Sequence, residues 1–114
     1  EFDYLYNKGD GTPYADDLTL PVAIIDAAIS AGIRIKMCPV FYQQGGIDIP
    51  AEPRQRRFVL ESVDRYLAII DKLVKKYQNH PMVSIGGGVH SIRAAQKEDI
   101  VKVKEYTNQN SLPF

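Results

Sequence analysis

Two side chains suited to binding an anion, His90 and Arg93, follow a short apolar segment that predicts a β-strand. Arginine presents a planar fork that matches a carboxylate, and a histidine beside it can donate or accept a hydrogen bond. Tyr4 lies at the corresponding end of an earlier predicted strand, and Tyr42 and Gln43 follow the strand between them. Because α/β proteins bind ligands at the carboxyl ends of parallel strands, we predict an anion-binding mouth there. An exposed arginine and a strand-capping histidine fit the same pattern.

The glycine run Gly86–Gly88 has the composition of a phosphate-binding loop but not its spacing. It matches neither the dinucleotide-binding pattern nor the P-loop, which ends in Gly-Lys-Ser/Thr. We favour a flexible strand end at which backbones approach closely. The alternative is a small, self-sufficient α/β module that binds an anion or phosphate without catalysis.

The remaining reactive side chains have simpler explanations. Cys38 lies in an apolar run and is expected in the core, and His80 is expected to cap carbonyl groups at a helix end. Arg54, Arg56 and Arg57, near the predicted start of the long helix, either bind an anion or pair with carboxylates. The only two histidines lie at opposite ends of a predicted strand, so we assign no catalytic residue and no metal ligand to this chain.

Apolar periodicity predicts alternating strands and helices that would position these residues. Strands are predicted at 1–6, 33–41 and 82–85, and helices at about 18–31, 63–77 and 97–107. Residues 111–114 are typical of the entry to a further strand. The apolar face of the third helix is predicted to comprise Ile100, Val101, Val103 and Tyr106.

This alternation predicts an α/β fold with a parallel sheet covered by helices. A doubly wound domain would usually carry more strands, and a complete (β/α)8 barrel needs about 250 residues. We therefore expect residues 1–114 to form a single segment, a partial (β/α)8 barrel of about three β/α units without a complete second domain. Open strand edges predict that such a segment forms a homo-oligomer.

Composition excludes several classes of function. The chain has 114 residues, of which 45% are apolar, with 14 basic and 14 acidic side chains. It lacks the basic excess that binding to nucleic acid or to an anionic membrane requires, and its apolar stretches are too short to span a bilayer. No signal peptide is expected, and the single cysteine suits a reducing compartment, so we expect a cytoplasmic protein.

Five short motifs follow one another along nearly the whole chain: Glu1-Phe2-x-Tyr4, Asp10-Gly11-x-Pro13-Tyr14-Ala15-Asp16, Pro39-Val40-x-Tyr42 with Gly45-Gly46, Gln55-Arg56-Arg57-Phe58, and His90-Ser91-Ile92-Arg93-Ala94. In this order they resemble the middle of the formimidoylglutamate deiminases, histidine-degrading enzymes of the amidohydrolase superfamily. The resemblance covers only an internal part of such an enzyme.

The resemblance implies a zinc-dependent (β/α)8 barrel, of which this chain spans about the end of strand 2 to the start of strand 5. The implied reaction converts formimidoylglutamate to formylglutamate and ammonia. Tyr4, His90 and Arg93 would bind this small acidic substrate, with Arg93 and Tyr4 on its carboxylates. The metal ligands would lie outside the chain, so we expect it to bind no zinc by itself and to be inactive without the rest of the barrel. Asp3 and Val89 replace a His and a Pro of the family, which leaves related deaminases of guanine-like or other amidine substrates open.

Overall fold

A parallel sheet centred on one long strand forms the middle of the molecule. The computed structural model describes residues 1–114. Strand β2 pairs with β1 on one side and with β3 and β4 on the other, always in parallel. The predicted parallel α/β arrangement is thus confirmed. The elements, in chain order, are β1 (Phe2–Asp3), α1 (Thr19–Ser30), β2 (Ile35–Phe41), a 3-10 helix (Pro53–Phe58), α2 (Val63–Tyr77), β3 (Val83–Ile85), β4 (Gly88–Val89) and α3 (Lys97–Gln109).

β3 and β4 are two parts of one strand path. Both keep the same offset from β2, with Val83 opposite Ile35 and Gly88 opposite Val40. The prediction that the strand ends at the glycines is confirmed, since β3 ends at Ile85, and pairing with β2 resumes at Gly88. The predicted close approach is confirmed, because a Cβ on Gly86 would lie 2.9 Å from Cys38 Sγ.

The α-helices begin and end close to their predicted bounds, and each of the following residues marks a helix end. Gly32, with a φ of +73°, takes the left-handed conformation just after α1. The Ser62 hydroxyl caps α2 by accepting a hydrogen bond from the Arg65 N–H at 3.4 Å. Lys75 and Lys76 lie in the last turn of α2, where they complement the helix dipole.

All three α-helices cover the same face of the sheet. Ile25 of α1, Tyr66 of α2 and Val103 of α3 belong to one buried cluster that includes Met37 and Phe41 of β2. Because strand side chains alternate between faces, those of Lys36, Cys38 and Val40 point to the other side. Lys36 and Ser84, which pair across β2 and β3 on that opposite face, are exposed. Consecutive strands with helices on one face are the arrangement that a barrel segment requires.

Several predicted bounds and faces differ from the structure. Ile33 is exposed and precedes β2, because the turn at Gly32 delays the start of the strand. Of the predicted apolar face of α3, Val103 is buried, and Ile100 and Tyr106 pack partly buried against the core. Val101 is 46% exposed, and Thr107 is buried in addition. Residues 111–114 form no strand, although the Gly87 N–H donates to the Pro113 carbonyl at 2.9 Å.

The arginine-rich segment is not part of the long helix. It forms the separate 3-10 helix, which ends at Phe58, five residues before α2 begins at Val63. The three arginines therefore do not act on the dipole of the long helix. No helix in the chain is both long and apolar enough to cross a membrane.

Candidate functional site

Four aromatic rings meet at the carboxyl ends of the strands, and we call this group the ring cluster: Tyr4, Tyr42, Phe58 and His90. The His90 ring centroid lies 5.5 Å from that of Tyr4 and 4.9 Å from that of Tyr42, both edge to face. Phe58 lies behind both tyrosines, 5.2 Å from Tyr4 and 6.1 Å from Tyr42. Edge-to-face packing at these separations is favourable. Of the three residues expected to converge, Tyr4 and His90 thus meet, and Tyr42 lies beside them as expected for the rim.

The imidazole of His90 is held without using its nitrogen atoms. The backbone N–H of His90 donates to the Phe41 carbonyl at 3.0 Å, which continues the ladder beyond β4 and fixes the backbone. The side chain makes ring contacts with Tyr4 and Tyr42 but no hydrogen bond within the chain, and the residue is exposed. Both nitrogens are therefore available to a ligand as donor or acceptor.

The strand that leads to His90 is connected to β2 through a side chain. The Tyr66 hydroxyl donates to the Pro39 carbonyl at 2.8 Å and accepts a hydrogen bond from the Gly88 N–H at 2.9 Å. It thus occupies the place of a direct backbone bond between the two strands. Burial raises the pKa of Tyr66 well above its ordinary value, so the hydroxyl keeps its proton.

Arg93 lies three residues beyond His90 in the turn that follows β4. Its backbone carbonyl accepts a hydrogen bond from Gln44 Nε2 at 3.1 Å, and its own N–H donates to the Ser91 hydroxyl at 3.3 Å. The residue is exposed, and its guanidinium makes no ion pair or hydrogen bond within the chain. Its charge is therefore free to bind an anion, and no hydrogen bond or cation–π contact joins Arg93 to the ring cluster.

Gln43, which we expected on the rim of the mouth, has a structural role instead. Its Oε1 accepts a hydrogen bond from the Gln96 N–H at 3.0 Å, at the start of α3. Its Nε2 donates to the Asp99 carboxylate at 2.9 Å. Both ends of this side chain are thus used to attach the loop after β2 to the N-terminus of α3.

The glycine run offers no free N–H groups for a phosphate. The Gly86 N–H donates to the Met37 carbonyl at 2.9 Å, and the Gly87 N–H to the Pro113 carbonyl at 2.9 Å. The Gly88 N–H donates to the Tyr66 hydroxyl. Since a phosphate-binding loop works through free backbone N–H groups, this segment lacks what the alternative anion-binding module requires.

The other candidate side chains are occupied by contacts within the fold. Cys38 is buried as expected, and burial raises the pKa of its thiol. His80 acts as an acceptor rather than a carbonyl cap, because its Nδ1 receives the Met82 N–H at 3.2 Å. Of the three arginines, Arg54 pairs with Glu52 at 2.8 Å, and the Arg57 guanidinium lies 5.9 Å from the Phe58 ring centroid.

Sequence reasoning did not include Phe58 in the site. Its only signal was its place at the end of the Gln55-Arg56-Arg57-Phe58 motif, because a loop residue carries no periodicity that would reveal which strand ends it contacts. The acidic and sulfur-containing side chains do not form a comparable centre. No three His, Cys, Asp or Glu side chains come together in a group that could hold a metal ion.

Comparison with known proteins agrees with the resemblance to an internal part of the formimidoylglutamate deiminases. The chain is 36% identical over 106 residues to the formimidoylglutamate deiminase of Pseudomonas aeruginosa, which covers 90% of this chain and 22% of that relative. It is also similar to a crystal structure of an amidohydrolase from Brucella melitensis, with a TM-score of 0.84, 30% identity, and coverage of 92% of this chain and 23% of that one. A scan against protein-family models finds no match. The chain thus spans less than a quarter of either relative, and the predicted likeness to an internal part of formimidoylglutamate deiminases is confirmed.

Proposed function

We propose that this chain is a substrate-binding segment of a metal-dependent (β/α)8-barrel hydrolase that acts on formimidoylglutamate. The observation that carries this proposal is the ring cluster, which holds His90 while leaving both of its imidazole nitrogens free. A side chain held in this way suits a ligand that arrives from the carboxyl side of the sheet. The likeness to a formimidoylglutamate deiminase and to an amidohydrolase supports the reaction class, hydrolysis of a carbon–nitrogen bond.

In the proposed reaction, water adds to the formimidoyl carbon of N-formimidoyl-L-glutamate. The bond to the terminal nitrogen breaks, ammonia leaves, and N-formyl-L-glutamate remains. Arg93 and Tyr4 would bind the carboxylates of the glutamate part, since arginine forms charge-assisted bonds to a carboxylate and the tyrosine hydroxyl can donate a further one. His90 would orient the substrate between them. None of the three is assigned a proton-transfer step.

Zinc, which the resemblance implies for the complete enzyme, does not fit on this chain, because its potential ligands form no group of three. The chain's own residues are therefore assigned to substrate binding alone. The rest of the barrel would complete the site.

The proposal is tested by replacing the matching segment of the Pseudomonas aeruginosa formimidoylglutamate deiminase with residues 1–114. The resulting chimaera should release ammonia from N-formimidoyl-L-glutamate. Arg93→Gln in this chimaera should raise KM by about 10-fold or more, with a smaller effect on kcat, because a lost charge contact mainly weakens binding.

Arg54→Gln is the matched control, since Arg54 is exposed and already paired with Glu52 within its own 3-10 helix. This variant should leave KM within about twofold of the parent, as surface ion pairs contribute little. A folded chimaera that releases no ammonia, or an Arg93→Gln effect no larger than that of Arg54→Gln, would contradict the proposed function.

A further inference from the structure

Tyr42 is the nearest ring neighbour of His90, and its own position is fixed by a glutamine from a distant loop. Gln55 Nε2 donates to the Tyr42 hydroxyl at 2.8 Å. Tyr42 itself is buried, with 7% of its surface exposed, and its carbonyl accepts the Leu60 N–H at 2.9 Å. The ring that packs against His90 is thus held at both its backbone and its hydroxyl.

Gln55 is in turn fixed by the start of the 3-10 helix. Its Oε1 accepts the Glu52 N–H at 2.8 Å, in a reciprocal capping arrangement. The loop after β2 leaves space for this side chain only because Gly45 has no Cβ, which would lie 2.8 Å from Gln55 Oε1. Gly45, Glu52 and Gln55 therefore form one support for the Tyr42 hydroxyl.

This support matters because the imidazole of His90 has no hydrogen bond to the chain. Its orientation depends on ring contacts alone, and the contact with Tyr42 is shorter than that with Tyr4. An edge-to-face contact is weak by itself, about 0.5–1.5 kcal/mol, so a mobile tyrosine would hold the imidazole poorly. A displacement of about 1 Å in a binding group is enough to lower the efficiency of an enzyme markedly.

We propose that Gln55 and Tyr42 are positioning residues that hold the His90 imidazole in the orientation in which it binds substrate. The expected effect on substrate binding rests on the proposed function. The expected effect on the packing of His90 against Tyr42 does not. Gln55 acts through the Tyr42 hydroxyl, and Tyr42 acts through its ring. Neither residue is assigned a contact with substrate.

The structural test is an NMR measurement on the 114-residue chain, in which His90 and His80 are the only histidines. Nuclear Overhauser contacts between the His90 and Tyr42 rings should be present in the parent and weakened in both Gln55→Leu and Tyr42→Phe. Tyr42→Phe keeps the packed ring and removes only the hydroxyl, so a weakened contact in this variant is not explained by loss of folding. Gln44→Leu is the control, because Gln44 bonds to Arg93 and Gln96 rather than to Tyr42. Undiminished ring contacts in folded Gln55→Leu and Tyr42→Phe chains would overturn the inference.

The functional test is a double-mutant cycle in the chimaera. Gln55→Leu and Tyr42→Phe should each raise KM for N-formimidoyl-L-glutamate by about 3- to 10-fold with little change in kcat, and their combination should be no worse than either alone. Both effects should disappear in a His90→Gln background. Additive effects, or full effects without His90, would overturn the positioning role. A parent chimaera without activity would instead count against the proposed function, and the ring contacts measured in the 114-residue chain would still decide the inference.

Discussion

At the scale of single residues, the Tyr66 hydroxyl joins two strands at a point where no direct backbone bond forms. In the register of these strands, the Gly88 N–H would otherwise face the Pro39 carbonyl directly. The Tyr66 hydroxyl bridges these groups instead. We predict that Tyr66→Phe lowers the free energy of unfolding by about 1–3 kcal/mol, because it leaves buried backbone groups without a partner. Urea unfolding at neutral pH measures this loss.

Tyr77 provides the matched control, since its buried hydroxyl has no hydrogen-bond partner in the structure. Removing that oxygen takes away a desolvated group and no bond. Tyr77→Phe should therefore leave the free energy of unfolding unchanged or raise it. Equal losses in the two tyrosine variants would show that the bridging hydroxyl has no special contribution.

Asp3 should make stability depend on pH in the opposite sense to most aspartates. Its side chain is buried, and this burial raises the carboxyl pKa above the ordinary 3.8, although the Leu5 N–H donates to it at 3.0 Å. The folded chain therefore binds a proton more tightly than the unfolded chain, and stability is lost as the pH rises from 3.8 through the raised pKa. Asp3→Asn should raise the urea midpoint at pH 7 but not at pH 3. A pH-independent effect would contradict this account.

The sequence predicts Tyr4 and His90 in the site because Tyr4 lies at the end of one predicted strand and His90 lies just beyond the end of another. It predicts the convergence of the rings for the same reason, since parallel strands end at one edge of the sheet. Gln55 and Phe58 lie in the short 3-10 helix, and nothing in their spacing indicates which strand ends they contact. Likewise, Gln43 has the right position for the rim, but its amide finds stronger partners at the start of α3.

At the scale of elements, the passage of α2 over the glycine run sets how closely helix and sheet approach. A Cβ on Gly87 would lie 2.9 Å from Ile70 Cδ1 and 3.2 Å from the Tyr66 hydroxyl, whereas nothing lies within 4 Å of a Cβ on Gly88. Gly87→Ala should therefore lower the free energy of unfolding by about 1–3 kcal/mol through overpacking. Gly88→Ala should lower the free energy of unfolding by much less. Similar urea midpoints for the two variants would show that α2 can move away from the strand.

A half-buried ion pair joins α2 to the segment before α1. Arg65 donates through Nη2 and Nε to the Asp17 carboxylate, at 2.6 and 3.2 Å, and this lowers the Asp17 pKa below 3.8. The pair's contribution is present above the ordinary pKa and is lost as the pH falls through the lowered value. Asp17→Asn should cost about 1 kcal/mol at pH 7, with the difference from the parent disappearing at very low pH. A cost that persists in acid would contradict an electrostatic origin.

Periodicity predicts the helices better than the segments between them. α2 follows from its regular buried positions and its Ser62 cap, both of which are local properties of the sequence. The short strand β4, which begins at Gly88 after the glycine run, is not local in this sense. It depends on the pairing with β2, which only the folded chain brings together.

At the scale of the whole molecule, the order of strands and the single helical layer leave one face of the sheet uncovered by helices. Phe2 lies on β1 opposite Cys38 and is 72% exposed, on a strand whose outer edge has no partner. An exposed apolar side chain on an unpaired edge favours pairing with another chain. We predict that the 114-residue chain self-associates and that Phe2→Lys shifts it towards the monomer in sedimentation velocity. Ile33→Lys, at a similarly exposed apolar position outside the sheet, should not. A parent chain that stays monomeric at every concentration, or equal effects of both variants, would mean that this edge does not drive association.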